Sequence, residues 1–147
     1  MIIREFTSAD HDSAYVLWYN TEGVCNCKKC MHHDSRDEIE RFLKRNKGLS
    51  FVAEESGEII GTILSGHDGR TGLIYRLVVS EEFRRKGIAG RLVERAVAAL
   101  KKEGIITVNV SVLNDNEAGN SFWGSVGFNE SDTAVSRYKV IKVIDDE

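Results

Sequence analysis

The stretch that decides the fold reads Leu77-Val78-Val79-Ser80-Glu81-Glu82-Phe83-Arg84-Arg85-Lys86-Gly87-Ile88-Ala89-Gly90-Arg91-Leu92. Its apolar start predicts a strand, which passes through a basic, glycine-containing turn into an amphipathic helix. The first backbone amides of a helix have no intrahelical partner and lie at the positive end of the helix dipole. Gly87 has no side chain, so an anion can approach the backbone there. The stretch therefore predicts a strand–turn–helix unit that can hold a phosphate.

Four cationic side chains surround this turn and add a positive field to its amides: Arg84, Arg85, Lys86 and Arg91. The alternative is an ordinary strand-to-helix turn with a solvated basic rim, because a short glycine motif is a weak signal by itself. The chain as a whole carries a formal net charge of −3, so the basic turn is a local feature. Such a patch suits one anionic ligand better than a long polyanion, and we expect no nucleic-acid partner.

The composition is that of an ordinary globular protein. The 147 residues are 41% hydrophobic and 29% charged, which suits one domain over residues 1–147 with its own core. No apolar run approaches the roughly 20 residues of a membrane span, and residues 1–6 lack the features of a signal peptide. We therefore expect a cytoplasmic protein with no membrane partner. The sequence leaves open whether it is a monomer or a homodimer.

Local signals predict strands that alternate with helices along the whole chain. Ser35 and Glu38 form a capping box for one helix, and Asn116 lies among the candidate caps of another, which Gly127 ends. The helix after the basic turn ends at Gly104. The predicted strands are residues 2–6, 49–55, 58–65, 73–80 and 105–113, with a final hairpin over 128–144.

This order predicts an α/β fold of the α+β type, with one mixed sheet and helices on both of its faces. The predicted strand 105–113 is β-branched and apolar without clear alternation, so we expect a central strand that is covered on both sides. Residues 21–34 are expected to be irregular.

Two motifs in the right order resemble the GNAT superfamily of acyl-coenzyme-A-dependent N-acetyltransferases. Residues Arg84 to Ala89 match its (Q/R)-x-x-G-x-(G/A) signature. Asn116, the pair Phe122-Trp123 and the pair Gly127-Phe128 match its second motif. The element order also fits over essentially the whole chain. The resemblance implies a mostly antiparallel central sheet with one splayed strand pair, and acetyl-coenzyme A as the acetyl donor.

The resemblance also implies where the donor binds. Its pyrophosphate is expected on the backbone amides of the basic turn, which are those of Arg85, Lys86, Gly87, Ile88, Ala89 and Gly90, with Arg84 beside them. Its pantetheine arm is expected along the strand residues Leu77, Val78 and Val79, bonded to the backbone like an added strand. The far wall of this groove is expected to consist of Asn116, Gly119, Asn120 and Trp123. Asn116 has the alternative role of a helix cap, and it can do both.

The proton donor is less clear from the sequence. Family members commonly place a tyrosine beside the sulfur, but this chain has Trp123 at that position. An indole N–H donates a hydrogen bond but cannot act as a general acid near neutral pH. Tyr75 and Tyr138 are the candidate catalytic residues that replace it, each with the alternative of an ordinary sheet aromatic. A thiolate can also take its proton from water. Backbone amides near Leu77 and Val78 are expected to stabilise the oxyanion.

Two further segments carry polar residues of interest. The turn Gly66–Gly72 holds His67, Asp68 and Arg70, and either it is simply a tight hairpin or Asp68 or His67 lies near the amine. The second segment holds Cys25, Cys27, Cys30, His32 and His33. Its cysteines are reduced and unligated, or bind zinc or another soft metal with a histidine as fourth ligand, or form a redox switch. We assign no metal site from the sequence, and we expect this segment to shape the acceptor wall.

Three classes of function therefore compete. The first is an N-acetyltransferase that moves an acetyl group to a primary amine, on a small molecule or a peptide, by direct attack in a ternary complex. The second is a non-catalytic acyl-coenzyme A sensor, which the replacement of the usual tyrosine by Trp123 favours. The third is a metal-dependent interaction module that depends only on residues 25–33. The sequence does not identify the amine acceptor.

Overall fold

The computed structural model of the protein describes residues 1–142. Its strands form one five-stranded sheet in chain order: β1 (Ile2–Glu5), β2 (Phe51–Glu55), β3 (Glu58–His67), β4 (Thr71–Val79) and β5 (Thr107–Val110). The pairs from β1 to β4 are antiparallel, and β4 pairs with β5 in parallel. The predicted mixed sheet of mostly antiparallel strands is confirmed.

The helices are α1 (His11–Tyr19), α2 (Lys28–His33), α3 (Arg36–Arg45), α4 (Ile88–Lys102) and α5 (Glu117–Ser125). Two of them begin at the predicted caps, because Ser35 Oγ accepts from Glu38 N at 3.5 Å and Asn116 Oδ1 accepts from Gly119 N at 2.9 Å. A 3-10 turn precedes α1 and replaces the first turn of the predicted helix. None of the helices in residues 1–142 is long and apolar enough to cross a membrane.

The sheet has a core on each face. On one face, Leu92 and Ala96 of α4 and Trp123 of α5 pack against Ile63 of β3. On the other face, Trp18 of α1 and Ile39 of α3 pack against residues that include Val52 and Leu64. Burying a large apolar side chain contributes about 1.5–3 kcal/mol, so these two clusters hold helices to both faces. The expected placement of helices on both faces is confirmed.

A β-bulge interrupts the pairing of β3 with β4. Thr62 pairs with Val78 and Leu64 pairs with Tyr75, so Arg76 and Leu77 together lie opposite the single residue between Thr62 and Leu64. Arg76 has a φ of 51°, in the left-handed region that side chains rarely adopt. The Thr62 hydroxyl accepts from Trp18 Nε1 and donates to Arg76 O, both at 2.8 Å. This chain of hydrogen bonds holds the bulge in place.

The β4–β5 pair is splayed, as the resemblance implies. The two strands pair only from Thr71 to Ile74 on β4 and from Thr107 to Val110 on β5. Beyond Ile74, β4 continues to Val79, while the chain after β5 has left the strand conformation. A gap therefore opens beside the second half of β4.

Three sequence expectations for the fold are wrong. Residues 105–113 form no central, doubly covered strand: β5 has four residues and lies at the end of the sheet in the described part of the chain. Residues 128–142 contain no strand, and the end of the predicted hairpin at 143–144 lies outside the described residues. The segment expected to be irregular contains α2, which buries no side chain and therefore leaves no apolar pattern to detect.

Candidate functional site

A cleft of about 1150 Å³ opens where β4 and β5 separate. One wall is the bulged half of β4, and the opposite wall runs from the end of β5 through Asn116 to Trp123. The cleft continues under α3 and the segment before it, where Cys25, Cys30 and Asp34 line it. The strand gap and the cysteine segment therefore belong to one continuous cavity.

The basic turn begins α4 without a side-chain cap. Gly87 is the N-cap residue with a φ of 77°, and its carbonyl accepts from Arg91 N at 3.1 Å. The amides of Ile88, Ala89 and Gly90 precede that first helical bond and have no intrahelical acceptor. A Cβ atom placed on Gly87 or on Gly90 would meet no atom within 4 Å, so the surface over these amides is open. An open helix N-terminus of this kind can hold a phosphate group, and the pyrophosphate site at this turn stays a prediction.

The basic side chains of the turn are partly held by their neighbours. Arg84 Nε donates to Val79 O at 3.2 Å, and Lys86 Nζ lies 5.2 Å from the ring centroid of Phe83. Arg85 has a φ of 63°. The end of β4 and the start of α4 are thus joined by contacts of the turn itself, and its amides stay open to solvent.

The strand residues of the predicted groove have inward-facing side chains. Val78 belongs to the core under α1 and α3, and Val79 belongs to the core under α4. Leu77 is half-buried and packs against the latter core. These residues therefore offer a ligand mainly their backbone, as a pseudo-strand contact requires.

The predicted far wall divides into two pairs. Asn116 and Trp123 line the cleft, whereas Gly119 and Asn120 serve the start of α5. A Cβ atom on Gly119 would lie 2.5 Å from Asn116 Nδ2, so the glycine is needed for the helix cap itself. Asn120 Nδ2 donates to Leu113 O and to Asn116 O. The space beside Gly119 is therefore occupied by the Asn116 side chain.

Trp123 is a buried core residue that also borders the groove. Its ring contacts Phe122 and Phe128 edge-on, with centroids 5.3 Å and 4.8 Å away. It belongs to the core beneath α4. Its position next to the splayed strands agrees with a packing role beside the donor's arm, and its indole cannot supply a proton.

The structure separates the two candidate catalytic tyrosines. Tyr75 lies on β4, lines the cleft and is 47% exposed, with its ring 6.0 Å from Phe42. Partial burial raises the pKa of the Tyr75 hydroxyl above its usual value, so it stays protonated near neutral pH. Tyr138 is 78% exposed outside any strand, with Lys29 Nζ 3.6 Å above its ring. The expectation that Tyr138 belongs to a strand is wrong.

A buried polar cluster that the sequence analysis missed lies in the cleft wall. The side chains of Asp34 and Arg76 form an ion pair and are 6% and 14% exposed. Arg76 Nε donates to Asp34 Oδ2 at 2.9 Å, and the Tyr19 hydroxyl donates to the same oxygen at 2.5 Å. Arg76 Nη2 also donates to Cys25 O at 3.3 Å, and His11 Nε2 donates to Asp34 O at 2.7 Å. The cluster joins α1, the cysteine segment and the bulge.

In this cluster, the pKa values of Arg76 and Tyr19 are both raised above those of free side chains. Burial acts to lower the pKa of Arg76, but the hydrogen bonds and charge of Asp34 outweigh it, and the net shift is upward. Burial and the hydrogen bond to Asp34 raise the pKa of Tyr19. Arg76 therefore stays charged and Tyr19 stays neutral. One sequence signal could have revealed this cluster: Arg76 is the single charge within the apolar run Leu73–Val79.

The polar residues of the 66–72 turn do not line the cleft. Asp68 Oδ1 accepts from Arg70 N and Thr71 N, both at 2.8 Å, and these backbone bonds lower the Asp68 pKa. His67 Nδ1 accepts from Gly69 N at 2.9 Å, and its other ring nitrogen lies 3.1 Å from Glu103 Oε1. These contacts are those of a hairpin turn, and neither Asp68 nor His67 lines the cleft.

The three cysteines converge on one point in the cleft wall. Their sulfur atoms are 3.5 Å apart for Cys25 and Cys27, 3.1 Å for Cys27 and Cys30, and 2.8 Å for Cys30 and Cys25. The hydrogen bonds that Cys27 Sγ makes with the Cys30 thiol and with the Cys30 backbone amide lower the pKa of Cys27 to about 7. Burial raises the pKa of Cys30. The thiols of Cys25 and Cys30 and the backbone carbonyl of Cys25 thus border the part of the cleft that α3 covers.

The charge of the cleft opposes that of the whole chain. The lining residues include two carboxylates, Asp34 and Glu38, and each is paired with an arginine, Arg76 or Arg41. The lining also includes three more cations: Lys29, Lys44 and Arg45. A chain with a net charge of −3 therefore lines this cavity with an excess of positive charge.

Comparisons with known proteins agree with this geometry. Residues 9–128 match the Acetyltransferase (GNAT) family. The chain is similar to Acetyltransferase YE1169 of Yersinia enterocolitica, with 31% identity over 141 residues that cover 96% of each chain. The chain belongs to the GNAT family of acetyltransferases. The family's donor is acetyl-coenzyme A, so the donor predicted from the sequence is confirmed.

Solved structures share the fold. The PaiA N-acetyltransferase of Thermoplasma acidophilum, in complex with coenzyme A, has a TM-score of 0.76 and 22% identity, covering 90% of this chain and 92% of that one. The AAC(6′)-Iy enzyme, in complex with the bisubstrate analogue CoA-S-monomethyl-acetylneamine, has a TM-score of 0.71 and 17% identity, covering 95% and 97%. At these identities the likeness establishes the fold, which agrees with the sheet and the splayed strand pair described above.

Proposed function

We propose that the protein is an N-acetyltransferase that transfers an acetyl group from acetyl-coenzyme A to a primary amine, in one domain and in the cytoplasm. The observation that carries the proposal is the single cleft that joins the splayed strands to a charged, partly buried acceptor region. The open amides after Gly87 would hold the donor's pyrophosphate, and the backbone of Leu77–Val79 its arm. The donor supplies an activated acetyl thioester at the end of that arm.

The chain's own residues suit direct attack by the amine. The nucleophile must be neutral, and the excess positive charge of the cleft lowers the pKa of an amine that binds there. The bulge interrupts strand pairing at Arg76 and Leu77. In this proposal, backbone amides near Leu77 and Val78 stabilise the negative charge on the carbonyl oxygen. The amine nitrogen bonds to the acetyl carbon, and the carbon–sulfur bond breaks as the intermediate collapses. The sulfur takes a proton from Tyr75 or water, and the nitrogen gives up its extra proton to water, which also reprotonates the tyrosine.

Two measurements separate this proposal from its alternative, a non-catalytic acyl-coenzyme A sensor. Isothermal titration with acetyl-coenzyme A tests the donor site, and release of free thiol in the presence of an amine panel tests the transfer. We expect binding and amine-dependent thiol release. Binding with no thiol release by any amine would favour the sensor. Trp123 in place of the usual tyrosine is the feature of the sequence that agrees with that alternative.

The first functional prediction concerns the proton donor. Tyr75→Phe is expected to lower turnover by about 100-fold with little change in coenzyme affinity, the size typical for loss of a general acid. Steady-state kinetics and titration measure the two effects. Tyr138→Phe is the matched comparison, and we expect it to keep turnover because its hydroxyl is far more exposed. Full turnover in Tyr75→Phe would assign the proton to water.

The second functional prediction concerns the acceptor. Three cations of the cleft lining, Lys29, Lys44 and Arg45, have no carboxylate partner in that lining. We therefore propose an acceptor amine that carries an anionic group, such as a free carboxylate. An amino acid should then exceed its own amide in kcat/KM by up to about fivefold, since an exposed ion pair contributes up to about 1 kcal/mol. Polycationic amines should be poor acceptors.

A pair of variants tests these lining cations directly. Arg45→Gln, on α3, should reduce the preference for the carboxylate, whereas Lys101→Gln, on α4 outside the cleft lining, should leave it unchanged. Both variants remove one positive charge. A difference between them in the preference for the carboxylate therefore reports the position of the charge and not the change in net charge. An equal preference for the amide in the wild-type protein would contradict the proposed acceptor class.

A further inference from the structure

The sulfur triangle of Cys25, Cys27 and Cys30 has no ordinary packing explanation. Cysteine is among the residue types most often buried in cores, but Cys27 is exposed and the other two are only partly buried. A disulfide needs a sulfur–sulfur distance of about 2.05 Å, and all three separations are well above it. Three thiols thus meet at the protein surface without a disulfide bond and without a hydrophobic core around them.

We propose that these three cysteines bind one thiophilic metal ion of the zinc class through three thiolates. Their ligand atoms all lie within 4.8 Å of one another. Sulfurs bound to one tetrahedral zinc ion at about 2.3 Å lie about 3.8 Å apart. The triangle therefore needs to open by only about 1 Å on its shortest side to hold such an ion.

The local backbone positions two of the proposed ligands, Cys27 and Cys30. Cys27 is the N-cap residue of α2, and its sulfur accepts from Cys30 N at 3.4 Å. An N–H directed at the sulfur stabilises a thiolate, and the Cys-x-x-Cys spacing is one that zinc sites use. Cys25 reaches the same point from the chain before the helix. The three ligands thus come from both sides of the start of α2.

The fourth ligand is exogenous in this proposal. In residues 1–142, the group with metal-ligand spacing consists of the three cysteines alone, so neither His32 nor His33 completes it as the sequence spacing suggested. Three protein ligands with an open fourth position, which solvent fills, is an established arrangement for zinc. Soft thiolate ligands also favour such metals over magnesium or calcium.

Metal binding would fix one wall of the acceptor cleft. Cys25 and Cys30 line the cleft, and the carbonyl of Cys25 accepts from Arg76 of the bulge. An ion that joins Cys25 to α2 would therefore hold the segment that covers Arg76 and Asp34. The site lies apart from the basic turn, so coenzyme affinity should not depend on it. Metal binding is independent of whether the proposed acetyl transfer is correct.

The test is metal analysis of the full-length protein, purified under reducing conditions from zinc-supplemented medium. We expect about one equivalent of metal, and its loss when Cys25, Cys27 and Cys30 are all replaced by serine. Titration of the metal-free protein with Co²⁺ alone should give the strong ultraviolet absorption of thiolate-to-cobalt charge transfer. The coenzyme affinity of the triple variant should stay within about twofold of the wild type, an expectation that rests on the separate turn amides.

Two controls keep the result decisive. His33→Asn should retain the metal, and its loss there would contradict the three-thiolate ligand set. A chelator should lower the Tm of the wild-type protein and added Zn²⁺ should restore it, which gives a readout even where the serine variant fails to fold. Folded, reduced protein that binds neither Zn²⁺ nor Co²⁺ would overturn the proposal. A mass two hydrogen atoms lower, from a disulfide, in the freshly purified protein without metal would do the same.

Discussion

Gly87→Glu is expected to abolish measurable binding of coenzyme A while the protein stays folded. The substitution places a carboxylate beside the open amides of Ile88, Ala89 and Gly90, where the proposed pyrophosphate would bind. An uncompensated like charge at that position costs several kcal/mol. A carboxylate at a helix N-terminus is also favourable, so the new side chain can occupy the anion site itself. Isothermal titration measures the loss, and circular dichroism checks the fold.

Gly87→Gln is the matched control for this variant. It introduces nearly the same bulk, and it imposes the same strain at a φ of 77°, where residues with a Cβ pay roughly 1–2 kcal/mol. It adds no charge. The difference in coenzyme affinity between the two variants therefore isolates the charge effect. An unchanged affinity in folded Gly87→Glu would remove the pyrophosphate from this turn.

Asp34→Asn is expected to destabilise the protein by about 3–5 kcal/mol, because it leaves the Arg76 guanidinium buried without its countercharge. The free energy of unfolding in denaturant measures the loss. Asp12→Asn makes the same chemical change in an ion pair with Arg36, but the Asp12 side chain is 83% exposed. That variant should lose much less stability than Asp34→Asn, because solvent screens exposed pairs.

A double variant separates the ion pair from other effects of the substitution. Arg76→Met combined with Asp34→Asn removes both charges and leaves the left-handed backbone at position 76 with a side chain of similar reach. Replacing both partners of a buried pair is often close to neutral, so the double variant should be more stable than Asp34→Asn alone. Similar small losses for Asp34→Asn and Asp12→Asn would contradict the assigned cost of burial.

The sequence predicted the features that depend on neighbouring residues. The caps at Ser35 and Asn116 and the glycine that begins α4 each need only a few residues of chain, so they are readable without a fold. The Asp34–Arg76 pair joins residues 42 positions apart. The bulge that brings Arg76 into the cleft depends on how β3 pairs with β4. Arg76 does interrupt an apolar run, but no local pattern indicates its distant partner or the bulge, so the buried ion pair in the cleft wall was not predicted.

The cysteine segment was predicted only in part from the sequence. Its spacing indicated metal ligands, but the expected histidine does not join the sulfurs in the described residues. The helix α2 is six residues long and buries none of them, so no hydrophobic period marked it. The β-branched residues around β5 indicated a strand covered on both sides, and this prediction is wrong. Ile106, in the same stretch, is almost fully exposed.

The two tryptophans of the chain form a pair of intrinsic optical reporters. Trp18 lies fully buried under the acceptor region, with the Arg76 guanidinium 5.9 Å from its ring, while Trp123 borders the groove beside the splayed strands. In Trp123→Phe, the emission colour and lifetime come from Trp18 alone, which then reports on the acceptor wall. Subtracting that signal from the wild-type spectrum isolates the indole beside the groove. One chain thus supplies separate spectroscopic views of its two substrate regions without any attached dye.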